Sequence, residues 1–389
     1  MVLTGCEIKL DNPHSTYYAG QTINGSVVLT FDSPKKVRGI YIKIKGEANT
    51  SFSVEESHTN NENQTENERI DLSGSEEYFK IQYFLVGGPS GNNIELPAGQ
   101  HEYPFTCILP PNLPSSFEGE FGHVRYTIKV VLDRPWKFDQ ESKLAFTVLS
   151  PVDLNQVASL REPHSVFMEK YFCCCWCKSG PLTCIVKLPC RGYVPGQTMS
   201  ILAEVDNISN VEVDSVSFTF QKVVTYHSQR PRRETKKNTI VLETVRVGPV
   251  PGHESKTWNQ SMVIPSLPSS NLLNCSIIDL DYELIIEANV SGMHSNLLSK
   301  VPLTIGTIPI GAMNGVPSIP TAPPADVPQD NSSAIGWAVP GSLGPNVPTF
   351  EATRFGTTTI KDSADNDYTR MCNSNYNPMY PVYNFTNNA

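Results

Sequence analysis

The residues best suited to recognition chemistry cluster near the C-terminal end of the sequence. Asn377-Pro378-Met379-Tyr380 fits an Asn-Pro-x-Tyr signal, in which Asn-Pro starts a turn after an extended stretch that a phosphotyrosine-binding-type domain adds to a sheet edge. Overlapping it, Tyr380-Pro381-Val382-Tyr383 repeats a Pro-x-Tyr half-motif, so that Asn377, Pro378, Tyr380, Pro381 and Tyr383 are the candidate partner-binding residues. Proline presets the polyproline II conformation that the aromatic grooves of WW domains select, and both half-motifs lack the leading proline that would complete Pro-Pro-x-Tyr. The one Pro-Pro pair in this region, Pro323-Pro324, is followed by Ala325 and Asp326 and offers no tyrosine. Tyr368-Thr369-Arg370-Met371 and Tyr376-Asn377-Pro378-Met379 each fit a tyrosine-x-x-apolar sorting signal of the clathrin-adaptor type.

A second candidate is the basic run HSQRPRRETKK over 227–237, where Arg230, Arg232, Arg233, Lys236 and Lys237 form an anion-binding loop for phosphate or acidic headgroups. Its competing reading is a solvated hairpin tip between two strands. The third is the cysteine cluster YFCCCWCK over 171–178. Zinc binding would want two separated Cys pairs, S-acylation would want thiols beside a membrane-facing edge, and apolar packing needs only small buried side chains. Packing is the expectation, because Cys184, Val186 and Leu188 continue the segment as one face of a strand. The eight His residues are dispersed, and no nucleophile elbow or phosphate-binding Gly loop occurs. No enzyme activity, metal or cofactor is therefore expected, and His101 and His123 are expected to hydrogen-bond within the fold.

The elements that must carry these residues are written twice. YYAGQTINGSVVLTF (17–31) reappears in outline as YVPGQTMSILAEVDN (193–207), and LPPNLPSSFEGEFGHVRYTIKV (109–130) as IPSLPSSNLLNCSIIDLDYELII (264–286). A closing Ser-Lys pair, Ser142-Lys143 and Ser299-Lys300, precedes the last strand of each copy. Landmarks repeated once in the same order mean two copies of one domain plan. Period-2 alternation fills both: Ile40, Ile42 and Ile44 against Tyr41, Lys43 and Lys45, then Val216, Phe218 and Phe220 against Ser217, Thr219 and Gln221. Short strands broken by Pro and Gly predict an all-β protein of two tandem β-sandwiches. The expected organisation is an N-terminal sandwich over 1–152, a hinge over 153–172 containing a turn or two of helix, a C-terminal sandwich over 173–311, and a tail over 312–389 that stays disordered until something binds it. The extra stretch Glu55–Ser75 in copy one, Asn/Glu-rich and without an apolar period, reads as a long mobile loop. A net charge of −9 opposes nucleic-acid binding, and neither a secretory signal nor a stretch of 18 apolar residues is present, which predicts a cytoplasmic protein without a transmembrane segment.

KVRGIYIKIKGEA (36–48), LPAGQHEYPFTCILPPNLPSSFEGEFGHVRYTIKV (96–130), LDRPWKFD (132–139), SGPLTCIVKLPCRGYVPGQT (179–198) and VSGMHSNLLSKVPLTIGTIPIG (290–311) closely resemble the α-arrestins, the arrestin domain-containing proteins. The resemblance implies two immunoglobulin-like arrestin sandwiches. It also implies a cytosolic adaptor that binds the cytosolic tails of membrane proteins and brings WW-domain HECT ubiquitin ligases or endocytic adaptors to them, with recruitment to plasma membrane and endosomes. The absence of Pro-Pro-x-Tyr departs from the family's usual tail. The first strand, CEIKL (6–10), offers only Lys9, unlike the paired basic residues of the phosphate-sensing visual and β-arrestins. The alternative is a redox or metabolic regulator resembling thioredoxin-interacting protein, but HESKTW (253–258) lacks the Cys which that relative carries before the matching Trp.

Overall fold

The computed structural model describes residues 5–59, 65–88, 93–136, 138–174, 177–178, 180–311, 348–353, 358–362, 365–373 and 375–385. Two β-sandwiches follow one another. In the first, strands Gly5–Leu10, Thr22–Phe31 and Gly99–Ile108 form one sheet. The facing sheet runs in the order Thr16–Tyr18, Gln140–Leu149, Gly122–Asp133, Gly39–Thr59, Thr65–Gly87. The second sandwich repeats the latter sheet strand for strand, as Gly192–Tyr193, Leu297–Ile305, Ile278–Val290, Val213–His227, Thr235–Val247. In both copies the short first strand runs parallel to the last, and the other pairs among these five strands are antiparallel. The duplication in sequence is thus a duplication of topology.

The alternation dictates which face is inside. Ile40, Ile42, Ile44, Val216, Phe218 and Phe220 are all fully buried, while Tyr41, Lys43, Lys45, Thr219 and Gln221 are partly exposed. The Gly-Gln-Thr turns match as well. Gly20 and Gly196 both adopt φ near +85° to +88°, a region that favours glycine, and Gln21 and Gln197 each accept a hydrogen bond from the backbone three residues earlier. Between the sandwiches lie two single 3₁₀ turns, Leu154–Gln156 and Ala158–Leu160, in the stretch expected to be helical. Strand His164–Lys170, inside the expected hinge, pairs with Leu182–Leu188 as an edge of the second sandwich.

One expectation is corrected. The Glu55–Ser75 stretch is not a loop: the strands Gly39–Thr59 and Thr65–Gly87 continue through it as one hairpin, in register from Glu55↔Arg69 out to Thr59↔Thr65. Its outer part is polar on both faces, which hides the strand period from sequence inspection. The hairpin leans on the second sandwich: Ser73 bridges Arg230, Ser75 N donates to Gln229 Oε1 at 3.1 Å, Arg232 pairs with Glu56, and Thr50 Oγ1 donates to the His227 carbonyl at 2.8 Å. Of the expected tail, residues 312–347 lie outside the described residues, and the described residues from 348 to 385 lie against the sandwiches and include the strands Thr349–Ala352, Thr369–Met371 and Met379–Val382.

Candidate functional site: the groove that holds the tail

The groove begins with the duplicated Leu-Pro-Ser-Ser loops. In each copy a buried tyrosine anchors the loop: Tyr126 Oη donates to the Pro114 carbonyl at 2.6 Å and Tyr282 Oη to the Pro268 carbonyl at 2.8 Å. The loop serine then accepts from the last strand of its own sandwich, Ser116 Oγ from Val148 N and Ser270 Oγ from Ile305 N. Held this way, the two loops meet where the sandwiches join, with Ser115 Oγ and Ser269 Oγ 3.5 Å apart. The tail runs along the outer edge of Gln140–Leu149 and over this junction.

Recognition is first by main chain. The outer edge of Gln140–Leu149 is covered at Thr147–Leu149 by Thr16–Tyr18 and at Glu141–Lys143 by the tail strand Thr369–Met371, parallel in both cases. Between them the Asn373 amide imitates a strand, accepting from Ala145 N at 3.0 Å and donating to its carbonyl at 2.9 Å. Adding a strand to an open edge satisfies backbone groups that water would otherwise have to solvate.

The second element is charge. Lys129 and Lys143 lie directly opposite each other in the antiparallel register, and the Lys143 side chain is only 2% exposed. Like charges so placed repel, and desolvation adds to the cost. The tail answers both. Lys143 Nζ donates to the Ile360 carbonyl at 2.9 Å and to Asp362 and Asp365 carboxylates at 2.5 and 3.0 Å, while the other Asp365 oxygen lies 2.8 Å from Lys129 Nζ. Burial raises the cost of the Asp365 charge, but Lys129 and Lys143 outweigh it and hold its carboxyl below the usual range. Copy two shows the contrast. Lys300, at the matching position, faces Ile285, is 60% exposed, and has Glu283 of its own sandwich at 3.8 Å.

The third element is tyrosine. Tyr376 Oη donates to the Phe146 carbonyl at 3.0 Å, Tyr380 Oη to the Ser116 carbonyl at 2.9 Å, and Tyr383 Oη to the Thr307 carbonyl at 2.6 Å. Tyr376 packs with Ala145 and Ile360, and Tyr383 with Leu154 and Val194. Burial pushes all three phenols above their ordinary range. Tyr383 N also donates to the Pro195 carbonyl at 2.9 Å, in the Gly-Gln-Thr turn, where a Cβ on Gly196 would collide with the Tyr383 carbonyl. Strand Met379–Val382 pairs with Thr349–Ala352, whose Glu351 carbonyl accepts from Ser266 Oγ at 2.8 Å. The tail therefore touches both sandwiches.

Of the partner-binding residues named from sequence, Tyr380 and Tyr383 are buried, at 2% and 8% exposure, and Pro381 is buried beside them. Asn377 and Pro378 run just ahead of them, Asn377 half-buried and Pro378 buried, and the Pro378 carbonyl accepts from Thr353 N at 3.2 Å. Tyr368 stays half exposed, stacked on Phe138 with ring centroids 5.8 Å apart. Sequence reasoning missed Lys129, Lys143, Asp362 and Asp365. The one signal was the clustering of three aspartates, Asp362, Asp365 and Asp367, within six residues of the tail.

In the basic loop, Arg232 is taken by Glu56 and Glu234, Lys236 lies 5.4 Å from the Phe121 ring centroid, and Arg230, Arg233 and Lys237 are exposed. In the cysteine segment, Cys173–Cys174 pairs with Cys177–Lys178 as a short ribbon whose side chains lie outside the described residues, whereas Phe172, Cys184 and Cys190 are buried in the core. His101 Nε2 lies 2.9 Å from the Pro97 carbonyl at the sheet edge, as expected. Among the described residues, no helix is long and apolar enough to cross a membrane.

Comparison with known proteins agrees with this architecture. Residues 6–155 match the family model "Arrestin (or S-antigen), N-terminal domain" and residues 178–310 the model "Arrestin (or S-antigen), C-terminal domain". The chain is 35% identical to arrestin domain-containing protein 17 of Caenorhabditis elegans over 318 residues, covering 78% of this chain and 70% of that protein. It is 30% identical to arrestin domain-containing protein 4 of Mus musculus, covering 77% and 70%, and 28% identical to arrestin domain-containing protein 1 of Homo sapiens, covering 90% and 76%. With both arrestin domains matched nearly end to end, the chain belongs to the α-arrestin family of arrestin domain-containing proteins.

Proposed function

We propose that this protein is a non-catalytic adaptor in membrane-protein trafficking: its sandwiches hold the cytosolic tail of a membrane cargo, and its C-terminal segment recruits ubiquitin-ligase or endocytic partners at the plasma membrane and endosomes. The observation that carries this reading is the coexistence of two arrestin sandwiches with a tail bearing Asn-Pro-x-Tyr and Pro-x-Tyr motifs. The geometry adds a condition. Tyr380 and Tyr383 are buried against Ser116 and Thr307, so a WW or phosphotyrosine-binding-type domain reads them only after the segment leaves the groove.

Affinity purification from cells with the full chain and with a chain lacking 312–389 tests the division of labour. Cargo is expected to be retained by both, and ligase or endocytic partners by the full chain alone. Loss of every partner with the tail, or retention of all of them without it, would sink the proposal. Asn377→Pro, which restores Pro-Pro-x-Tyr, is expected to strengthen WW binding by preorganising the extended helix and to weaken phosphotyrosine-binding-type recognition by removing the turn-forming Asn.

A further inference from the structure

The basic loop between the strands Val213–His227 and Thr235–Val247 has two features that the adaptor reading leaves unused. Its backbone is the seat of the long hairpin of the first sandwich. Ser73 N donates to the Arg230 carbonyl at 2.8 Å, and Gln229 N and Arg230 N donate back to the Ser73 carbonyl at 2.8 and 2.9 Å. Ser75 N and Thr50 Oγ1 add bonds to Gln229 Oε1 and to the His227 carbonyl. Its side chains read RPRRETKK over 230–237, and Thr235 is the one serine or threonine of the sequence with arginine both three and two positions before it. Lysines follow directly at 236 and 237. Thr235 is exposed, as are Arg230, Arg233 and Lys237, and it opens its strand beside the loop, where local opening costs little. Arg232 is engaged by Glu56 of the hairpin and by Glu234.

We propose that Thr235 is a phosphorylation site for a basophilic protein kinase, and that the phosphate unfastens the hairpin from the second sandwich. The reaction moves the γ-phosphoryl group of MgATP to Thr235 Oγ1: the bond from that phosphorus to the ADP oxygen breaks, ADP leaves, and the hydroxyl proton passes through the kinase's base to water. Such a kinase recognises its substrate with carboxylates placed to meet arginines ahead of the acceptor hydroxyl. Arg232 is therefore claimed twice, by the kinase and by Glu56. Once modified, Thr235 carries a charge of about −1.5 to −2 and three strong acceptors, against the single charge of Glu56. Arg232 already reaches Glu234, the residue next to Thr235, at 3.1 Å. Directly across the ladder from Thr235 stands His227, paired with Asp279 at 2.6 Å, so the acidic neighbours Glu234 and Asp279 leave the cations of the loop as the partners of the phosphate. Moving Arg232 to that phosphate takes from the hairpin its ion pair with the second sandwich, and places a dianion in the loop on which Thr50, Ser73 and Ser75 rest.

The test uses the full chain with kinase catalytic domains of the cyclic-AMP-dependent and protein kinase C types, supplied with MgATP. Peptide mapping by mass spectrometry is expected to place phosphate on Thr235, and Thr235→Ala to remove it. Arg232→Ala is expected to slow the modification about tenfold or more, because a charge-assisted contact with the kinase is lost. Glu56→Gln is expected to speed it about two- to fivefold, the range that a partly exposed ion pair supports. The two signs separate the roles of Arg232, since a loop that only needed freeing would be modified faster in both variants. In the phosphorylated chain, hydrogen exchange is expected to quicken at the amides of Ser73, Ser75, Gln229 and Arg230, while those of Ile42 and Ile44 keep wild-type protection. No phosphate on Thr235, equal or faster modification of Arg232→Ala, no acceleration in Glu56→Gln, or unchanged exchange at those four amides after stoichiometric phosphorylation would each overturn the proposal.

Discussion

Asp365 sits between two lysines that oppose each other across adjacent strands, and that position makes it the most consequential carboxylate of the tail. Replacing it by Asn leaves Glu141 on Lys129 and Asp362 on Lys143 but removes the one carboxylate that bridges the two lysines. Breaking one partner of such a pair typically costs about 3–5 kcal/mol, so Asp365→Asn is expected to free the tail, read as new protease cleavage around 358–385 with unchanged unfolding of the sandwiches. The pH dependence has a defined sign. The folded carboxyl is held below its ordinary 3.8, so its contribution to docking is fully present above pH 3.8 and is lost as the pH falls below that value through the folded pKa. Gly196 is the complementary test on the other sandwich. An alanine there meets the Tyr383 carbonyl and carries a β-carbon at φ +88°, so Gly196→Ala should release the Tyr383 end of the tail and destabilise the turn by about 1 kcal/mol or more. A fully protected Tyr383 in that variant would contradict the contact.

At the scale of elements, the sandwiches were legible because their strands have one dry face. Phe218 is buried and Thr219 is not, so Phe218→Asp should unfold the second sandwich while Thr219→Asp leaves its thermal midpoint nearly unchanged. Equal effects would contradict the observed register. The long hairpin was illegible for the opposite reason: beyond Val54 and Ile70 both faces carry polar residues, and no period survives in the sequence. Its contacts with the second sandwich are nonetheless specific. Deleting residues 56–68 spares the buried Phe52 and Leu72 but removes the Arg232–Glu56 pair. The first sandwich is then expected to keep its stability within about 1 kcal/mol, since residues 56–68 include no apolar side chain and a shorter turn can close the same hairpin, while Arg232 keeps its pair with Glu234. The tail was illegible for a third reason. Its order comes from isolated tyrosines and carboxylates meeting partners more than 200 positions away, such as Lys143 with Asp362, and local sequence patterning carries no trace of that.

At the scale of the whole molecule, the tail bridges what the duplication created. Tyr376 and Tyr380 end on the first sandwich, Tyr383 and Glu351 on the second, and the Ser115–Ser269 contact lies between them. A segment that touches both bodies at once resists their separation, and its departure exposes the motifs and loosens the junction in one event. The tail contacts named here are all made by residues from 348 onward. Introducing a protease site within 312–347 and cutting it should therefore leave the C-terminal fragment bound to the sandwiches at micromolar protein, and let it dissociate on dilution, because cleavage removes the tether and none of these contacts. Raising the salt concentration should speed that dissociation only modestly, since the Lys143–Asp365 pair is shielded from solvent and is screened less than a surface pair. A fragment that separates at once on cutting, at any concentration, would mean that the tether and not the groove holds the tail.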